Sequence, residues 1–244
     1  MAQTERQGRP WLVLPTYNEA GNVEPLLRTA VANLPEGSRV LVVDDNSPDG
    51  TGEIADRLAT ELPVEVLRRA GKEGLASAYI AGFKHVLDRR ADLVLQMDAD
   101  FSHDPHDLPR LLEASEQADL VLGSRYVAGG GVEDWSLVRQ GISRGGSAYA
   151  RLALGIDVKD LTGGFKCFRR QVLESIDLDG ISSQGYAFQV EMTYRALQAG
   201  FKILEVPILF RDRRVGSSKM SRGIVLEAVT KVPTLRLRSL LSRL

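Results

Sequence analysis

The chain has little cysteine, little histidine and no long apolar run, and each shortage excludes a class of protein. One cysteine, Cys167, and three histidines among 244 residues rule out an intramolecular disulfide framework and argue against a structural zinc site. No window reaches the roughly 18 uncharged apolar residues that a membrane-spanning helix needs. The first ten residues, MAQTERQGRP, contain no apolar segment, which predicts that no secretory signal peptide is present.

Two glycine-rich phosphate loops are also missing. There is no GxGxxG after the first predicted strand and no GxxxxGK[ST] anywhere, so neither a Rossmann dinucleotide loop nor a P-loop is predicted. The composition, 43% hydrophobic and 26% charged with a net charge of −1, is typical of a globular protein. Residues 211–244, however, hold nine Lys or Arg and two acids, a basic end that favours an anionic surface or ligand. We expect no nucleic-acid partner.

Short β-branched runs alternate with helical patterns along the first half of the chain. This alternation predicts an α/β fold with a largely parallel sheet and helices on both faces. The predicted strands cover residues 11–15, 39–43, 64–67, 93–97, 120–123 and 202–206. The predicted helices cover residues 23–33, 51–60, 74–87, 106–115, 140–154 and 184–198.

The stretch LQMDADFSHDP, residues 95–105, ends an apolar run in two acids, Asp98 and Asp100. The strand's period of two predicts that their carboxylates project from one face, and two such charges repel unless a cation lies between them. The pair is therefore a candidate metal clamp. The alternative is that the acids solvate the loop or cap a helix, because HDPHDL resembles a helix start.

Polar turns follow two other predicted strands. LPTYNEAGN closes the first, and VVDDNSPDGT closes the second with Asp44 and Asp45. Each acid alone fits a turn or cap, but together they mark one sheet edge, the edge where doubly wound sheets bind nucleotides. A diphosphate bound there needs a cation, and carboxylate oxygens suit Mg²⁺ or Mn²⁺.

Seven motifs in a fixed order resemble one enzyme family. They are PTYNE, VVDDNSPDGT, GLASAYIAGF, MDADFSHDP, LGSRYVAGG, LTGGFKCFRR and DRRVGSSKMS, and they span about residues 10–225. The series resembles the polyprenol-phosphate (dolichol-phosphate) mannosyltransferases of the inverting glycosyltransferase family 2, and it is more specific than any single motif. The resemblance implies a GT-A type fold, with a central, mostly parallel sheet flanked by helices. It also implies transfer of mannose from GDP-mannose to a polyprenyl phosphate.

The resemblance further implies roles for individual residues. The nucleotide pocket would contain Pro15, Tyr17, Glu19, Val43 and Asp45. The nucleotide sugar and a Mg²⁺ or Mn²⁺ ion would be held by Asp98, Ala99 and Asp100, with Ser102 standing where some members have a glutamine ligand. Donor phosphates and leaving-group charge would meet Arg125, Arg213 and Lys219, which with Asp100 are the candidate catalytic residues. The acceptor phosphate would meet Arg139, Ser143 and Arg144; a solvated basic helix face is the alternative for the two arginines.

The C-terminal segment is predicted to be separate from the catalytic domain. We expect a catalytic domain over residues 1–220 and a basic amphipathic helix over residues 221–244, interrupted at Pro233. One stripe of this helix holds Val225, Val229, Val232, Leu240 and Leu244. The pattern predicts peripheral attachment to the cytoplasmic face of a membrane, and a helix packed on the domain is the alternative. A membrane-protein partner is not identified.

Two alternative functions remain open, and four further residues are predicted to have structural roles. A sister enzyme that uses UDP-glucose, or a catalytically idle nucleotide-binding subunit, would share much of this pattern. Met97 and Met192 are predicted to lie in the core, Cys167 to be a small buried hydrophobe, and His103 to cap or solvate the following helix.

Overall fold

A computed structural model describes residues 9–211 and 231–236 of the chain. A seven-stranded sheet forms its centre, and a two-stranded sheet lies beside it. The strands are β1 (Pro10–Thr16), β2 (Arg39–Asp44), β3 (Val64–Arg68), β4 (Leu93–Gln96), β5 (Leu120–Ser124), β6 (Gly131–Val132), β7 (Lys166–Arg169), β8 (Ile203–Pro207) and β9 (Leu209–Phe210). The helices are α1 (Val23–Asn33), α2 (Thr51–Leu58), α3 (Leu75–Asp88), α4 (Leu108–Ala114), α5 (Leu137–Leu154), α6 (Arg170–Ser175) and α7 (Gly185–Gln198).

The strand order of the large sheet creates a crevice at its carboxyl edge. The order is β3-β2-β1-β4-β7-β5-β8, and the described strands are parallel to their neighbours except where β7 pairs with β4 and β5. The chain runs from β1 to β2 and β3 on one side, then crosses to β4 on the other side of β1. Such a reversal separates the loops that follow β1 and β4, which is where open α/β sheets bind ligands.

Alternate side chains of each central strand enter two different cores. Trp11 and Val13 of β1 face a cluster that includes α3 and α7, whereas Leu12 and Leu14 face a cluster that includes α1, α2 and α4. The period of two in a strand produces this division. Because both faces are covered, β1 and β2 read as continuous apolar runs, as expected for buried parallel strands.

A glycine lets α3 approach the sheet closely. A Cβ at Gly82 would lie 2.5 Å from Cγ1 of Val13 and 3.0 Å from Cγ2 of Val43. A larger residue would therefore push α3 away from β1 and β2. Since the N-terminal end of α3 borders the crevice, this contact also fixes the geometry of the site.

The sequence predictions about elements were inaccurate at several points. The strand β4 ends at Gln96, so Asp98 and Asp100 lie in the following loop, and the period-of-two argument for a shared face does not apply to them. Phe101 then adopts a φ of 61°, which turns the chain away from the sheet. The antiparallel strand β7 was not predicted, and α5 begins at Leu137, three residues before the predicted start.

Part of the C-terminal segment packs on the domain. Residues 231–236 are helical through Pro233, and Val232 and Leu235 are buried in the same cluster as Leu154 of α5. Arg236 donates from Nη1 to the carbonyl oxygen of Ala153 at 3.0 Å. The other members of the predicted stripe, Val225, Val229, Leu240 and Leu244, lie outside the described residues, and the proposed domain boundary stays a prediction. Within the described residues, no helix combines the length and hydropathy that crossing a bilayer requires.

Candidate active site

A cleft of about 440 Å³ opens at the carboxyl edge of the sheet, over the reversal between β1 and β4. It collects residues from the loops after β1, β2, β3, β4 and β5. Of the residues that the sequence predicts, those lining it are Pro15, Tyr17, Glu19, Asp45, Asp98, Ala99, Asp100, Ser102, Arg125 and Arg139. Loops far apart in sequence therefore converge on one cavity, as the strand order requires.

One end of the cleft is bordered by Asp45 and Tyr17. Asp45 accepts a hydrogen bond of 2.6 Å from Nη1 of Arg69. Burial raises the pKa of Asp45 above its ordinary value, although the charge of Arg69 opposes this shift. The ammonium of Lys72 lies 4.2 Å from the ring centroid of Tyr17 and also lines the cleft. Lys72 and Arg69 were not identified from the sequence, because basic residues that follow a strand carry no distinctive pattern.

Val43 and Asp44 support this end from below. The structure does not bring Val43 to the cleft: its side chain is fully buried in the core against α3. Asp44 is fully buried as well and accepts hydrogen bonds from Thr16 Oγ1 at 3.0 Å and from the Ser47 amide at 3.1 Å. Asp44 therefore ties the ends of β1 and β2 together, while Asp45 faces the cavity.

The acids after β4 lie at the middle of the cleft. Tyr79 of α3 donates its hydroxyl to Oδ1 of Asp98 at 2.9 Å, and Asp100 accepts the backbone amide of Ser102 on Oδ1 at 3.0 Å. Burial and the nearby charge of Asp98 raise the pKa of Tyr79 well above its ordinary value. The phenol therefore stays protonated and donates.

His103 belongs to the wall of the cleft, contrary to the sequence prediction that it caps or solvates a helix. Its ring is 1% exposed and packs 5.1 Å from the ring of Phe165 and 5.2 Å from that of Phe210. The amide of Asp98 donates to its Nδ1 at 3.4 Å. Burial lowers the pKa of His103, so the neutral ring is favoured near pH 7. The following turn is capped by Asp104 instead.

The donor set around these acids suits a hard divalent cation. No cluster of three or more His, Cys, Asp or Glu side chains able to hold a metal occurs within residues 9–211 and 231–236. The buried hydroxyl of Ser102, however, has no hydrogen-bond partner in that part of the chain. Two carboxylates and a hydroxyl leave coordination positions for substrate phosphates, which is how Mg²⁺ commonly binds. The residues therefore fit Mg²⁺ or Mn²⁺, which Asp98, Asp100 and Ser102 would hold.

Arg125 forms a buried ion pair with Asp160. The guanidinium donates from Nε at 2.7 Å and from Nη2 at 2.6 Å to the two carboxylate oxygens, and the backbone amide of Arg125 donates at 2.9 Å. Burial disfavours both charges, but the pairing outweighs it, raising the pKa of Arg125 and lowering that of Asp160. The predicted phosphate contact of Arg125 would thus use a cation whose charge is already compensated. Asp160 was missed because no sequence pattern links it to Arg125.

The three predicted acceptor-phosphate residues lie on successive turns of α5. The guanidinium of Arg139 stacks 4.1 Å from the ring centroid of Trp135 and lines the cleft. Ser143 accepts the hydroxyl of Tyr126 at 2.6 Å, and Arg144 lies 5.7 Å from the ring of Tyr126. The structure therefore places Arg139 at the cavity, with Ser143 and Arg144 beside it rather than in its wall. Arg213 and Lys219 fall outside the described residues.

Predictions about buried residues are confirmed. Met97 and Met192 are fully buried in the two cores. Cys167 is a free, buried thiol, and burial raises its pKa to about 12, which disfavours the reactive thiolate near pH 7.

Known proteins resemble this chain over most of its length. An undecaprenyl-phosphate mannosyltransferase of Micrococcus luteus is 52% identical over 221 residues, covering 90% of this chain and 90% of that protein. A polyprenol monophosphomannose synthase of Mycolicibacterium smegmatis is 45% identical, covering 96% and 89%. A dolichol-phosphate mannosyltransferase of Pyrococcus furiosus is 38% identical, covering 88% of this chain and 60% of that protein.

Solved structures share the fold at low sequence identity. Glucosyl-3-phosphoglycerate synthase of Mycobacterium tuberculosis, crystallised with Mn²⁺, UDP and glucosyl-3-phosphoglycerate, has a TM-score of 0.65 at 21% identity, covering 97% of this chain and 80% of that one. The same enzyme with Mg²⁺ and UDP has a TM-score of 0.64 at 20% identity, covering 97% and 79%. These likenesses confirm the predicted GT-A type α/β fold. A model of the family described as glycosyl transferase family 2 matches residues 11–177, and with the relatives above it shows that the chain is a glycosyltransferase belonging to that family.

Proposed function

We propose that this protein transfers mannose from GDP-mannose to a polyprenyl phosphate at a membrane surface, forming the polyprenyl phosphomannose with inversion. The observation that carries the proposal is the position of the cleft next to an apolar surface. A cleft with two acids and a basic rim opens beside a helix whose outward face is apolar. Phosphate chemistry next to an apolar surface matches a lipid phosphate acceptor. The relatives that are 52% and 45% identical carry names of such enzymes.

The outward face of α5 is unusual for a helix on a protein surface. Its buried residues, Ser147, Ala150 and Leu154, lie on one side, whereas Leu137, Val138, Ile142 and Leu152 project from the other. Leu137 is 84% exposed and Leu152 is 82% exposed. Exposed apolar residues grouped on one face mark an interaction surface. We assign this face to the lipid acceptor's membrane, with Arg139 at the boundary between lipid and cleft.

The cleft offers separate places for the parts of the donor. Asp45 at one end is an acceptor for the N–H groups of a guanine edge, which presents an amine and a ring N–H. Asp98 and Asp100 at the middle face the diphosphate. A divalent cation bound by these acids and Ser102 would neutralise diphosphate charge as the nucleotide departs. Arg139 on the far side then receives the acceptor phosphate, so that donor and acceptor meet in line.

The proposed reaction needs no protein base. An acceptor phosphate oxygen attacks the anomeric carbon, the bond from that carbon to the donor diphosphate breaks, and the electron pair leaves with GDP. Near pH 7 a phosphomonoester, whose second pKa is about 6, is already largely dianionic, so no proton has to be removed. The buried neutral ring of His103 packs in the wall and is not assigned as a base. Arg213 and Lys219 are proposed to stabilise leaving-group charge.

A donor panel tests the proposed activity. Purified protein with Mg²⁺ and a short polyprenyl phosphate is expected to form organic-soluble labelled product from GDP-[¹⁴C]mannose and not from UDP-[¹⁴C]glucose. Non-phosphorylated polyprenol is the control acceptor and is expected to give no product, because it lacks the anionic nucleophile. Product from UDP-glucose alone would contradict the donor assignment, and binding of GDP without any transfer would favour an idle subunit.

Membrane contact through α5 gives a second test. Replacing Leu137, Val138 and Ile142 together by Ser is expected to weaken binding to vesicles of phosphatidylcholine and phosphatidylglycerol by at least about tenfold. The reason is that each apolar side chain contributes about 1.5–3 kcal/mol when fully removed from water. Vesicle flotation measures the effect, with unchanged circular dichroism and GDP binding as the control for folding.

A truncation after Arg236 separates the two candidate membrane contacts. It keeps Val232 and Leu235 in the core while removing the end of the predicted basic amphipathic helix. If the α5 triple variant floats with vesicles as the wild type does and the truncated protein does not, the membrane contact lies in the C-terminal segment and not on α5.

A further inference from the structure

A layer of buried polar side chains continues beneath the acids of the cleft. Tyr79 is fully buried, and its hydroxyl donates to Oδ1 of Asp98 at 2.9 Å. The Tyr79 ring is stacked between Phe83, at 5.7 Å between centroids, and Phe188, at 6.0 Å. Two aromatic neighbours fix the plane of the ring, so the position of the hydroxyl is set by packing rather than by solvent.

A second set of buried polar contacts lies on the same face of the sheet. Gln96 of β4 donates to Oε1 of Gln189 at 2.8 Å. Lys166 of β7 in turn donates to the carbonyl oxygen of Gln189 at 2.8 Å. These bonds hold α7 against β4 and β7, and α7 carries Phe188, which stacks on the Tyr79 ring.

The side chain of Asp98 needs a fixed hydrogen-bond partner because it lies in a loop. Asp98 follows the end of β4, so its backbone lies outside the hydrogen-bonded ladder of the sheet. A carboxylate on a loop has several rotamers, and each unwanted one lowers affinity for a cation. The hydroxyl of Tyr79 comes from a helix that is itself fixed against the sheet at Gly82. The helix α3, which is rigid, therefore orients the carboxylate of Asp98, a candidate metal ligand on a less rigid loop.

We infer that Tyr79 is a positioning residue that orients the carboxylate of Asp98 toward the divalent cation, an inference that rests on the proposed metal-dependent sugar transfer. Hydrogen-bond partners of metal ligands commonly determine affinity in this way, and losing one costs about 10- to 100-fold in metal affinity or activity. Tyr79 touches neither donor nor acceptor in this role. Its effect passes through Asp98.

The test replaces Tyr79 by Phe, which keeps the stacked ring and removes only the hydroxyl. Mn²⁺ binding in the presence of GDP, followed by the electron paramagnetic resonance signal of free Mn²⁺, is expected to weaken by about tenfold. In turnover assays the KM for Mn²⁺ should rise by a similar factor, with kcat largely restored at saturating Mn²⁺. Equal Mn²⁺ affinity of wild type and Tyr79→Phe would overturn the inference.

Two controls separate positioning from packing. Tyr194→Phe removes a hydroxyl from another buried tyrosine that does not line the cleft, and Phe168→Leu removes a buried ring of the same core that is not one of the two rings stacked on Tyr79. Both are expected to keep wild-type Mn²⁺ affinity, and Phe168→Leu to lower the melting temperature. A tenfold loss in Phe168→Leu as well would reassign the effect to packing.

Repeating the Mn²⁺ titration with UDP distinguishes failure of the proposed function from failure of the inference about Tyr79. Wild-type protein that binds Mn²⁺ with UDP and not with GDP would refute the donor assignment, while the difference between wild type and Tyr79→Phe would still decide the role of Tyr79. Wild-type protein that binds Mn²⁺ with neither nucleotide would overturn the metal site and this inference together.

Discussion

Asp100→Asn is expected to lower kcat/KM by on the order of 10²- to 10³-fold, the loss typical when one group that stabilises developing charge is removed. Asp100 is 5% exposed, and its Oδ1 is held by the amide of Ser102 at 3.0 Å. The amide of asparagine keeps the shape but removes the negative charge that attracts a divalent cation. Without that cation, the diphosphate leaves with its charge uncompensated.

The measurement is initial rate against Mg²⁺ concentration for both proteins. Asp88→Asn, an exposed acid at the far end of α3, is the matched control and should retain wild-type rates. Excess EDTA should abolish wild-type turnover, and readdition of Mg²⁺ or Mn²⁺ should restore it. Full activity in EDTA would show that Asp98 and Asp100 serve another purpose.

Asp160→Asn is expected to reduce the free energy of unfolding by about 3 kcal/mol, because it leaves the buried guanidinium of Arg125 without its counter-charge. Both side chains are at most 4% exposed, and three hydrogen bonds from Arg125 converge on the carboxylate. Activity should fall as well, since Arg125 lines the cleft. Urea denaturation at pH 7 measures the change.

The pH dependence of this pair follows from the lowered pKa of Asp160. The folded state binds the Asp160 proton less readily than the unfolded state, so the stabilisation is complete above about pH 4, near the pKa of an unfolded aspartate. It is lost as the pH falls toward the folded-state value. The stability of Asp160→Asn should therefore decline less steeply in acid than that of the wild type.

An exposed ion pair supplies the control. Asp157 pairs with Arg151 at 2.6 Å, but its side chain is 86% exposed, and Asp157→Asn should change stability by no more than about 0.5 kcal/mol. The double variant Arg125→Met/Asp160→Leu should regain stability, since an apolar pair can replace a buried ion pair. Equal destabilisation by the Asp157 and Asp160 variants would mean that the buried pair contributes no more than a surface one.

The sequence predicts the local elements better than the contacts between distant segments. The bounds predicted for α1, residues 23–33, match the structure, because its apolar residues recur at helical spacing after a polar turn. The strand β7 is four residues long and lies between strands from much earlier in the chain. Its pairing depends on neighbours that no local pattern reveals.

The site residues were likewise predictable only where a local sequence feature marks them. Acids that follow strands were identifiable because the parallel sheet brings all carboxyl ends to one edge. Asp160 and Tyr79 were not identifiable, since each acts through a partner elsewhere: Asp160 through Arg125, and Tyr79 through Asp98. Val43 was wrongly assigned to the nucleotide pocket, because its position in a motif does not reveal that its side chain faces the core.

The late position of β7 in the chain affects how the protein folds during synthesis. Strands β3, β2, β1 and β4 pair among themselves, so they can assemble once the first hundred or so residues have emerged, as short-range contacts form early. Strand β5 has no such partner: it pairs with β7 and β8, and Leu120 lies opposite Phe168 and Ile203. Until those later residues leave the ribosome, β5 and one edge of β4 present unpaired backbone groups. During that interval the nascent chain exposes a sheet edge open to intermolecular pairing, and the insertion of β7 closes it.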